Sequence, residues 1–156
     1  MADARTSQTE IRRAQLSDAA EMARLAIQLG YPITVAELTQ RLAALLPNER
    51  HCIAVAVSGA RMLGRVHVEH RSGIEAGERA ELMALVVDAD ARRGGVGREL
   101  VAVAEQWALS RGLTSLVVRS NAARELSHPF YLALGYSRDK TQHVYSKEFE
   151  GAECRT

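Results

Sequence analysis

A glycine-rich turn at residues 92–97 carries the clearest chemical signal in the chain. Its sequence, Arg-Arg-Gly-Gly-Val-Gly, lies between an apolar run that ends at Val87 and a segment of helical spacing that begins at Val96. Glycines let the backbone turn tightly with its N–H groups facing outward, and a helix N-terminus adds about half a positive charge. The turn is therefore suited to an anion such as a phosphate or pyrophosphate. The alternative is a turn between a strand and a helix that binds nothing.

This turn differs from two common phosphate-binding motifs. No Gly-Lys-Ser/Thr follows it, as a Walker A loop would require, and Leu100 stands where the dinucleotide fingerprint has its third glycine. The sequence therefore disfavours an NTPase and a nicotinamide enzyme.

Length and composition predict a single domain over residues 1–156, with flexible ends at about 1–9 and 151–156. The chain has 47% hydrophobic and 25% charged residues, enough for one core, and a net charge of +1 that favours neither nucleic acid nor a membrane as partner. Cys52 and Cys154 have no zinc-ligand or disulfide spacing, so we expect no metal and a reducing, cytoplasmic location. No segment approaches the roughly 18 apolar residues that a membrane span needs.

Apolar spacing along the chain predicts the element order β, α, α, β, β, β, α, β, α, β, β. Ser17 and Thr34 are the expected caps of the first two helices. The predicted strands are residues 11–14, 51–57, 61–70, 80–87, 113–118, 136–140 and 143–149. The pattern indicates an α+β fold with a mixed, mostly antiparallel central sheet of about seven strands and helices on both faces.

Several segments together resemble the GNAT superfamily of acetyl-CoA-dependent N-acetyltransferases. Arg92-x-x-Gly95-x-Gly97 is similar to the family signature Arg/Gln-x-x-Gly-x-Gly/Ala. Asn121 and the later Phe-Tyr-Leu-Ala-Leu-Gly-Tyr run that ends at Tyr136 resemble the family's Asn…Phe-Tyr-x-x-Leu-Gly-Tyr/Phe segment. Residues 140–147 resemble the terminal hairpin of many members. The resemblance covers about residues 11–149 and implies an acyl-CoA N-acyltransferase-like sandwich.

The resemblance also implies where acetyl-CoA would bind. Its pantetheine arm would lie between splayed parallel strands at residues 82–87 and 113–118, and its pyrophosphate would meet the N–H groups of residues 92–98. The implied cofactor-binding residues are Leu85, Val86, Val87, Arg92, Arg93, Gly94, Gly95, Val96, Gly97, Arg98, Asn121, His128 and Tyr131.

Acetyl transfer to an amine requires removal of a proton from an ammonium group of pKa about 10.4, and donation of one to the departing thiolate. By resemblance, Tyr131 is the acid; the alternative is an aromatic that packs its helix on the sheet. Glu81 stands eleven residues before Arg92, where histone-type members carry their base. Burial among apolar neighbours would raise its pKa toward neutrality. A solvated glutamate and a chain of waters are the alternatives.

The acceptor is expected to be an amine of a small molecule or peptide, bound near residues 30–33 and 71–79. Tyr31, Glu81 and His67 are the predicted substrate-binding residues, and His67 with His70 lacks a third metal ligand. No acidic run indicates a polyamine or aminoglycoside site, and no basic groove indicates an acidic acceptor. A non-catalytic acyl-CoA sensor is the alternative function, and a homodimer is possible for so small a domain.

Overall fold

The computed structural model describes residues 8–119 and 127–151. Asn121 and most of the two ends that were expected to be flexible lie outside these residues. Contacts group the chain into two units, Met1–Arg119 and Ser120–Thr156, which are described separately. The elements of the first unit are β1 (Glu10–Arg13), α1 (Ala19–Gln28), α2 (Val35–Leu45), β2 (His51–Ser58), β3 (Arg61–Gly73), β4 (Gly77–Val87), α3 (Val96–Ser110) and β5 (Leu116–Val118). The second unit contains α4 (Ser127–Ala133).

The strands form one sheet in the order β1-β2-β3-β4-β5. The pairs β1-β2, β2-β3 and β3-β4 are antiparallel, and β5 pairs with β4 in parallel. This mixed α+β sheet confirms the predicted fold class. The parallel ladder runs only from Ala80 opposite Leu116 to Leu82 opposite Val118, while β4 continues to Val87. The two strands are therefore paired at one end only.

The predicted count of seven strands is wrong, because the described residues form five. Residues 136–140 and 143–149 are not strands in the structure. A strand needs a hydrogen-bonded neighbour, and resemblance to a terminal hairpin does not supply one. The strand predicted over residues 113–118 begins only at Leu116, since the Leu113 amide caps the end of α3 by donating to Ala108 O at 3.0 Å.

Helices α1 and α2 cover one face of the sheet. Met22 and Leu25 of α1 and Leu42 of α2 pack with Val55 and Met62 of the strands in the main core. Thr34 caps α2 as predicted, accepting a hydrogen bond from the Glu37 amide at 3.1 Å. Such burial of aliphatic side chains supplies most of the stability of the fold.

The cap predicted at Ser17 is wrong, because Ser17 lies inside a short 3-10 turn, Leu16–Asp18, that precedes α1. Asp18 organises this turn instead. Its carboxylate accepts from the Gln15 amide at 2.7 Å and from both Nη atoms of Arg12 at 2.8 Å. An ionised, buried carboxylate offers stronger acceptors than a serine hydroxyl.

Helix α3 packs on the other face of the sheet, where Gly64 of β3 permits a close approach. A methyl group at Gly64 would lie 2.7 Å from Val86 O and 3.0 Å from Leu100 Cδ1 of α3. Only a residue without a side chain fits at that distance. No helix among the described residues is long and apolar enough to cross a membrane.

Candidate acyltransfer site

The glycine-rich turn joins β4 to α3 with an unusual backbone. Arg93 has φ +74° and Gly95 has φ +82°, while Arg92 between β4 and Arg93 has φ −64°. Left-handed residues that alternate with ordinary ones direct successive N–H groups to one side, which makes an anion-binding concavity. Gly95 is the N-cap of α3 and makes no side-chain capping bond. The first amides of α3 are therefore left for an outside acceptor.

Strand β4 offers a second set of backbone groups next to this turn. Leu85, Val86 and Val87 pair with β3, but no β5 residue among the described ones pairs with them. Met83 is an extra residue in β4, since His67 lies opposite Ala84 and Val68 lies opposite Leu82. Such a bulge turns a strand away from its neighbour. The expected splayed strands are therefore compatible with the geometry of β4 and β5.

A cleft of about 520 Å³ lies between helices α1 and α2 and the sheet. It reaches β4 at Met83 and Ala84, the bulge and the residue after it. Its apolar lining consists of Met22, Ala26, Ile33, Leu38, Leu42, Leu45, Ile53 and Met83. A cleft of this size and lining suits a small molecule with an apolar part.

Two of the three predicted substrate-binding residues line this cleft. Tyr31, 67% exposed, and His67 of β3 both do so. Residues 30–33 contribute to the lining as expected, whereas residues 71–79 do not. His70 is also absent from it, because His70 contacts Glu78 and accepts from Arg111 Nε at 3.1 Å.

Glu81 does not line the cleft, and the raised pKa predicted for it is wrong. Its carboxylate is 3% exposed and accepts from Arg71 Nη1 at 3.0 Å and from Arg119 Nε at 2.5 Å. Burial alone would raise the pKa of Glu81, but the hydrogen bonds and charges of Arg119 and Arg71 outweigh it and lower that pKa. The pair with Arg119 joins β4 to the residue after β5, which stabilises the paired end of the ladder.

A line of polar side chains leads from the cleft along the sheet. His67 Nε2 lies 2.9 Å from His51 Nδ1, and His51 Nε2 lies 4.0 Å from Glu69 Oε1. Burial, with His51 and Arg65 nearby, lowers the pKa of His67 to about 4, so its imidazole is neutral at neutral pH. A neutral imidazole can accept a proton on one nitrogen while it donates from the other.

Arg65 is the other charged group at the floor of the cleft. It lies two residues before His67 on β3 and lines the cleft beside it. Its Nε atom is buried and has no hydrogen-bond partner among the described residues. Burial lowers the pKa of Arg65, and no acidic group contributes to the shift.

Asp88 connects the end of β4 to helix α1 and to β3. It is 1% exposed and accepts from Arg24 Nη1 at 2.9 Å and Arg61 Nη2 at 3.0 Å. The hydrogen bond from the Asp90 amide, followed by those from Arg24 and Arg61, holds the pKa of Asp88 well below its usual range despite its burial. This network holds the strand end from which the glycine-rich turn departs.

The second unit contains the remaining predicted site residues. Tyr131 lies in α4, with its ring 5.1 Å from that of Phe130 and 5.9 Å from that of Tyr136. His128 Nε2 is buried and has no hydrogen-bond partner among the described residues. The residues that the structure describes contain no cluster of three His, Cys, Asp or Glu side chains able to hold a metal ion.

Sequence reasoning did not identify Arg65, His51 or Glu69 as site residues. Arg65, His67 and Glu69 alternate along β3 and so share one face, which was a usable signal. The pairing of His51 with this face depends on the β2–β3 register, which places His51 opposite Glu69. The two arginines that bind Glu81 lie 10 and 38 residues away in the chain.

The sequence profile of the Acetyltransferase (GNAT) family matches residues 16–136. No curated protein sequence matches significantly. Among solved structures, the aminoglycoside antibiotic 6'-N-acetyltransferase AAC(6')-IG from Acinetobacter haemolyticus is similar in fold. It has a TM-score of 0.77 and 21% identity, over 90% of this chain and 99% of that chain.

Two further structures show the same likeness of fold. AAC(6')-Iy, in complex with the bisubstrate analogue CoA-S-monomethyl-acetylneamine, has a TM-score of 0.80 and 18% identity, over 92% of this chain and 100% of that chain. Glucosamine-6-phosphate N-acetyltransferase from Arabidopsis thaliana has a TM-score of 0.76 and 18% identity, over 90% and 99%.

Proposed function

The chain belongs to the GNAT acetyltransferase family, and on that premise we propose that it transfers an acetyl group from acetyl-CoA to an amine of a small molecule or peptide. One observation carries the proposal. The cleft reaches β4 at Met83 and Ala84, just beyond Leu82, where the ladder with β5 ends. An amine in the cleft would therefore lie beside the segment of β4 that has no β5 partner among the described residues.

Acetyl-CoA would bind along β4 and the glycine-rich turn. Backbone groups of Leu85 and Val87 would bind the pantetheine arm, and the amides of residues 92–98 would bind the pyrophosphate. The left-handed conformation of Arg93 supports the second part, because a non-glycine residue in this region is strained and such strain is found at binding sites. The complex of AAC(6')-Iy with a CoA bisubstrate analogue supports the same co-substrate by fold.

The acceptor ammonium must lose a proton before its nitrogen attacks the thioester carbonyl. We assign this step to His67 and His51 rather than to Glu81. In the tautomer where His67 Nε2–H donates to His51 Nδ1, His67 Nδ1 accepts the acceptor's proton and His51 receives the proton from Nε2. The positive charge then lies on His51, beside the Glu69 carboxylate. Glu81 does not line the cleft, and two guanidinium groups hold its carboxylate.

The C–S bond breaks when the tetrahedral intermediate collapses, and the CoA thiolate takes a proton. A backbone N–H at or next to Leu85 would stabilise the oxyanion, and Tyr131 would donate the proton to sulfur. The attacking nitrogen, which carries a positive charge in the tetrahedral intermediate, loses one proton, and that proton restores the Tyr131 phenol. The CoA thiol and the acetylated amine are the products.

Substitutions of His67 and Glu81 test the proton path. His67→Gln keeps a polar side chain of similar size but removes the proton acceptor, so we expect kcat for release of the CoA thiol to fall by roughly a hundredfold. Glu81→Gln should lower the melting temperature and reduce kcat by less than about tenfold, because only a structural ion pair is lost. The opposite ranking of the two variants would assign the base to Glu81.

The proposed function has its own test, which is independent of the base. Wild-type protein with acetyl-CoA and a panel of amines should release the CoA thiol, and Tyr131→Phe should slow that release. If acetyl-CoA binds but no amine causes thiol release, the chain is an acyl-CoA sensor.

A further inference from the structure

The charge at the floor of the cleft indicates what kind of amine the protein accepts. Arg65 carries a guanidinium group whose Nε is buried and has no hydrogen-bond partner among the described residues. Burying a charge is costly unless a partner offsets it. No carboxylate in the described part of the chain forms an ion pair with Arg65, so a carboxylate of a ligand in the cleft can take that place.

The other charged groups of the cleft do not supply that partner. Glu37 and Arg41 line the cleft from α2, and both are exposed. His67, beside Arg65, is neutral at neutral pH because burial lowers its pKa to about 4. Two arginines and one glutamate leave the cleft with an excess of positive charge, which repels a polycation.

Resting on the proposed acetyl transfer, we infer that the acceptor is an amine that also carries a carboxylate and an apolar body, in the simplest case an apolar amino acid. Arg65 would bind the carboxylate through its planar fork of N–H donors. The apolar body would contact the aliphatic lining of α1, α2 and β2, including Met22, Leu42 and Ile53. One guanidinium balances one carboxylate, whereas a phosphate dianion would leave net charge in an apolar cleft.

This inference differs from the sequence analysis, which found no basic groove that would indicate an acidic acceptor. It also separates the chain from structures of similar fold that act on aminoglycosides, which carry several ammonium groups. A polycation in this cleft would place ammonium groups near Arg65 and Arg41.

Matched pairs of acceptors test the inference. Leucine, methionine and phenylalanine are compared with the amines that share their side chains but lack the carboxylate, together with one phosphate-bearing amine and one aminoglycoside. The kcat/KM for thiol release is corrected for the fraction of free amine at the assay pH. We expect the amino acids to exceed their decarboxylated partners by about tenfold to a hundredfold, the usual range for a hydrogen bond to a charged group.

Variants of Arg65 assign this preference to one side chain. Arg65→Gln should bring the kcat/KM ratio of each amino acid to its decarboxylated partner close to one, and Arg65→Lys should restore part of that ratio. Arg13→Gln is the control, since Arg13 is exposed on β1, donates to Leu46 O at 2.7 Å and does not line the cleft. Arg65→Gln removes a guanidinium group that has no ion-pair partner among the described residues and should fold, which its melting temperature checks.

Three results would overturn the inference. The decarboxylated, phosphate-bearing or aminoglycoside amines could react as well as the amino acids, Arg65→Gln could slow all acceptors alike, or it could weaken CoA binding instead. If no amine releases thiol, the proposed acetyl transfer fails, and the inference is then tested by the binding of amino acids alone. The inference then stands only if the amino acids raise the melting temperature of the CoA complex in wild type but not in Arg65→Gln, and it falls if they do not.

Discussion

At the scale of single residues, Asp88 shows how a buried charge positions a site that it does not enter. Its carboxylate accepts from two arginines on two different elements, Arg24 of α1 and Arg61 of β3. It also lies directly after β4, one residue beyond Val87. The end of β4 and the start of the glycine-rich turn are therefore held by one side chain.

Replacing this carboxylate should change both stability and its dependence on pH. Asp88→Asn should lower the free energy of unfolding at neutral pH by about 3 kcal/mol, because it leaves two guanidinium groups without their shared partner. The pKa of Asp88 is lowered in the folded state, so its contribution is complete above the unfolded value of about 3.9 and disappears as pH falls below that value. Urea unfolding from neutral to acidic pH measures both effects.

Asp90→Asn is the matched control for this prediction. Asp90 also pairs with Arg61, at 2.8 Å, but its side chain is 81% exposed. A surface pair contributes at most about 1 kcal/mol. Equal losses of stability in the two variants would contradict the role assigned to Asp88.

At the scale of elements, the two ends of α3 both carry a glycine in the left-handed region. Gly95 at the N-terminus has φ +82° and Gly112 after the C-terminus has φ +76°, and a methyl group at either position would meet nothing within 4 Å. Each substitution by alanine should cost about 1 kcal/mol of stability through the backbone alone.

These two substitutions separate stability from binding. Gly95→Ala should also weaken acetyl-CoA binding, because it disturbs the amides expected to bind the pyrophosphate, while Gly112→Ala should leave binding unchanged. Calorimetric titration with CoA measures the difference. Equal affinities in the two variants would place the pyrophosphate elsewhere.

The contact between α3 and β3 leads to a separate prediction. Gly64→Ala should lower the melting temperature, because its methyl group would lie 2.7 Å from Val86 O. Relieving that clash requires a shift of the β4 backbone, which costs free energy. Thermal unfolding measures the effect, and Gly59→Ala, in the turn between β2 and β3, is the control. Gly59 has open space around it but φ +60°, so only a backbone cost of about 1 kcal/mol applies there. A smaller loss at Gly64 than at Gly59 would contradict the close packing.

Local signals in the sequence predicted the elements that depend on neighbours in the chain. The Thr34 cap and the apolar spacing of α3 each depend on residues only a few positions apart. The structure contains both the cap and the helix. The two strands predicted within residues 136–149 do not form, since strand pairing depends on residues that are distant in the chain. The raised pKa predicted for Glu81 was wrong for the same reason, because its carboxylate binds Arg71 and Arg119. Arg65 was missed because only the folded cleft reveals that its charge has no partner.

At the scale of the whole molecule, the first unit already combines the features that an acetyl transfer between two substrates requires. Three features follow one another along β4. They are the cleft, the segment without a β5 partner among the described residues, and the glycine-rich turn. The cleft meets β4 next to the segment where the thioester would lie. This arrangement would hold acetyl-CoA and the acceptor amine next to each other, with the amine close to the thioester.

The fate of an isotope-labelled acetyl group tests this account most directly. Wild-type protein is incubated with labelled acetyl-CoA and an apolar amino acid, and NMR follows the label. The account predicts that the label leaves the thioester and appears in an amide bond to the acceptor, with one CoA thiol formed for each amide. A label that stays on CoA while CoA remains bound, or that appears only as free acetate, would contradict it.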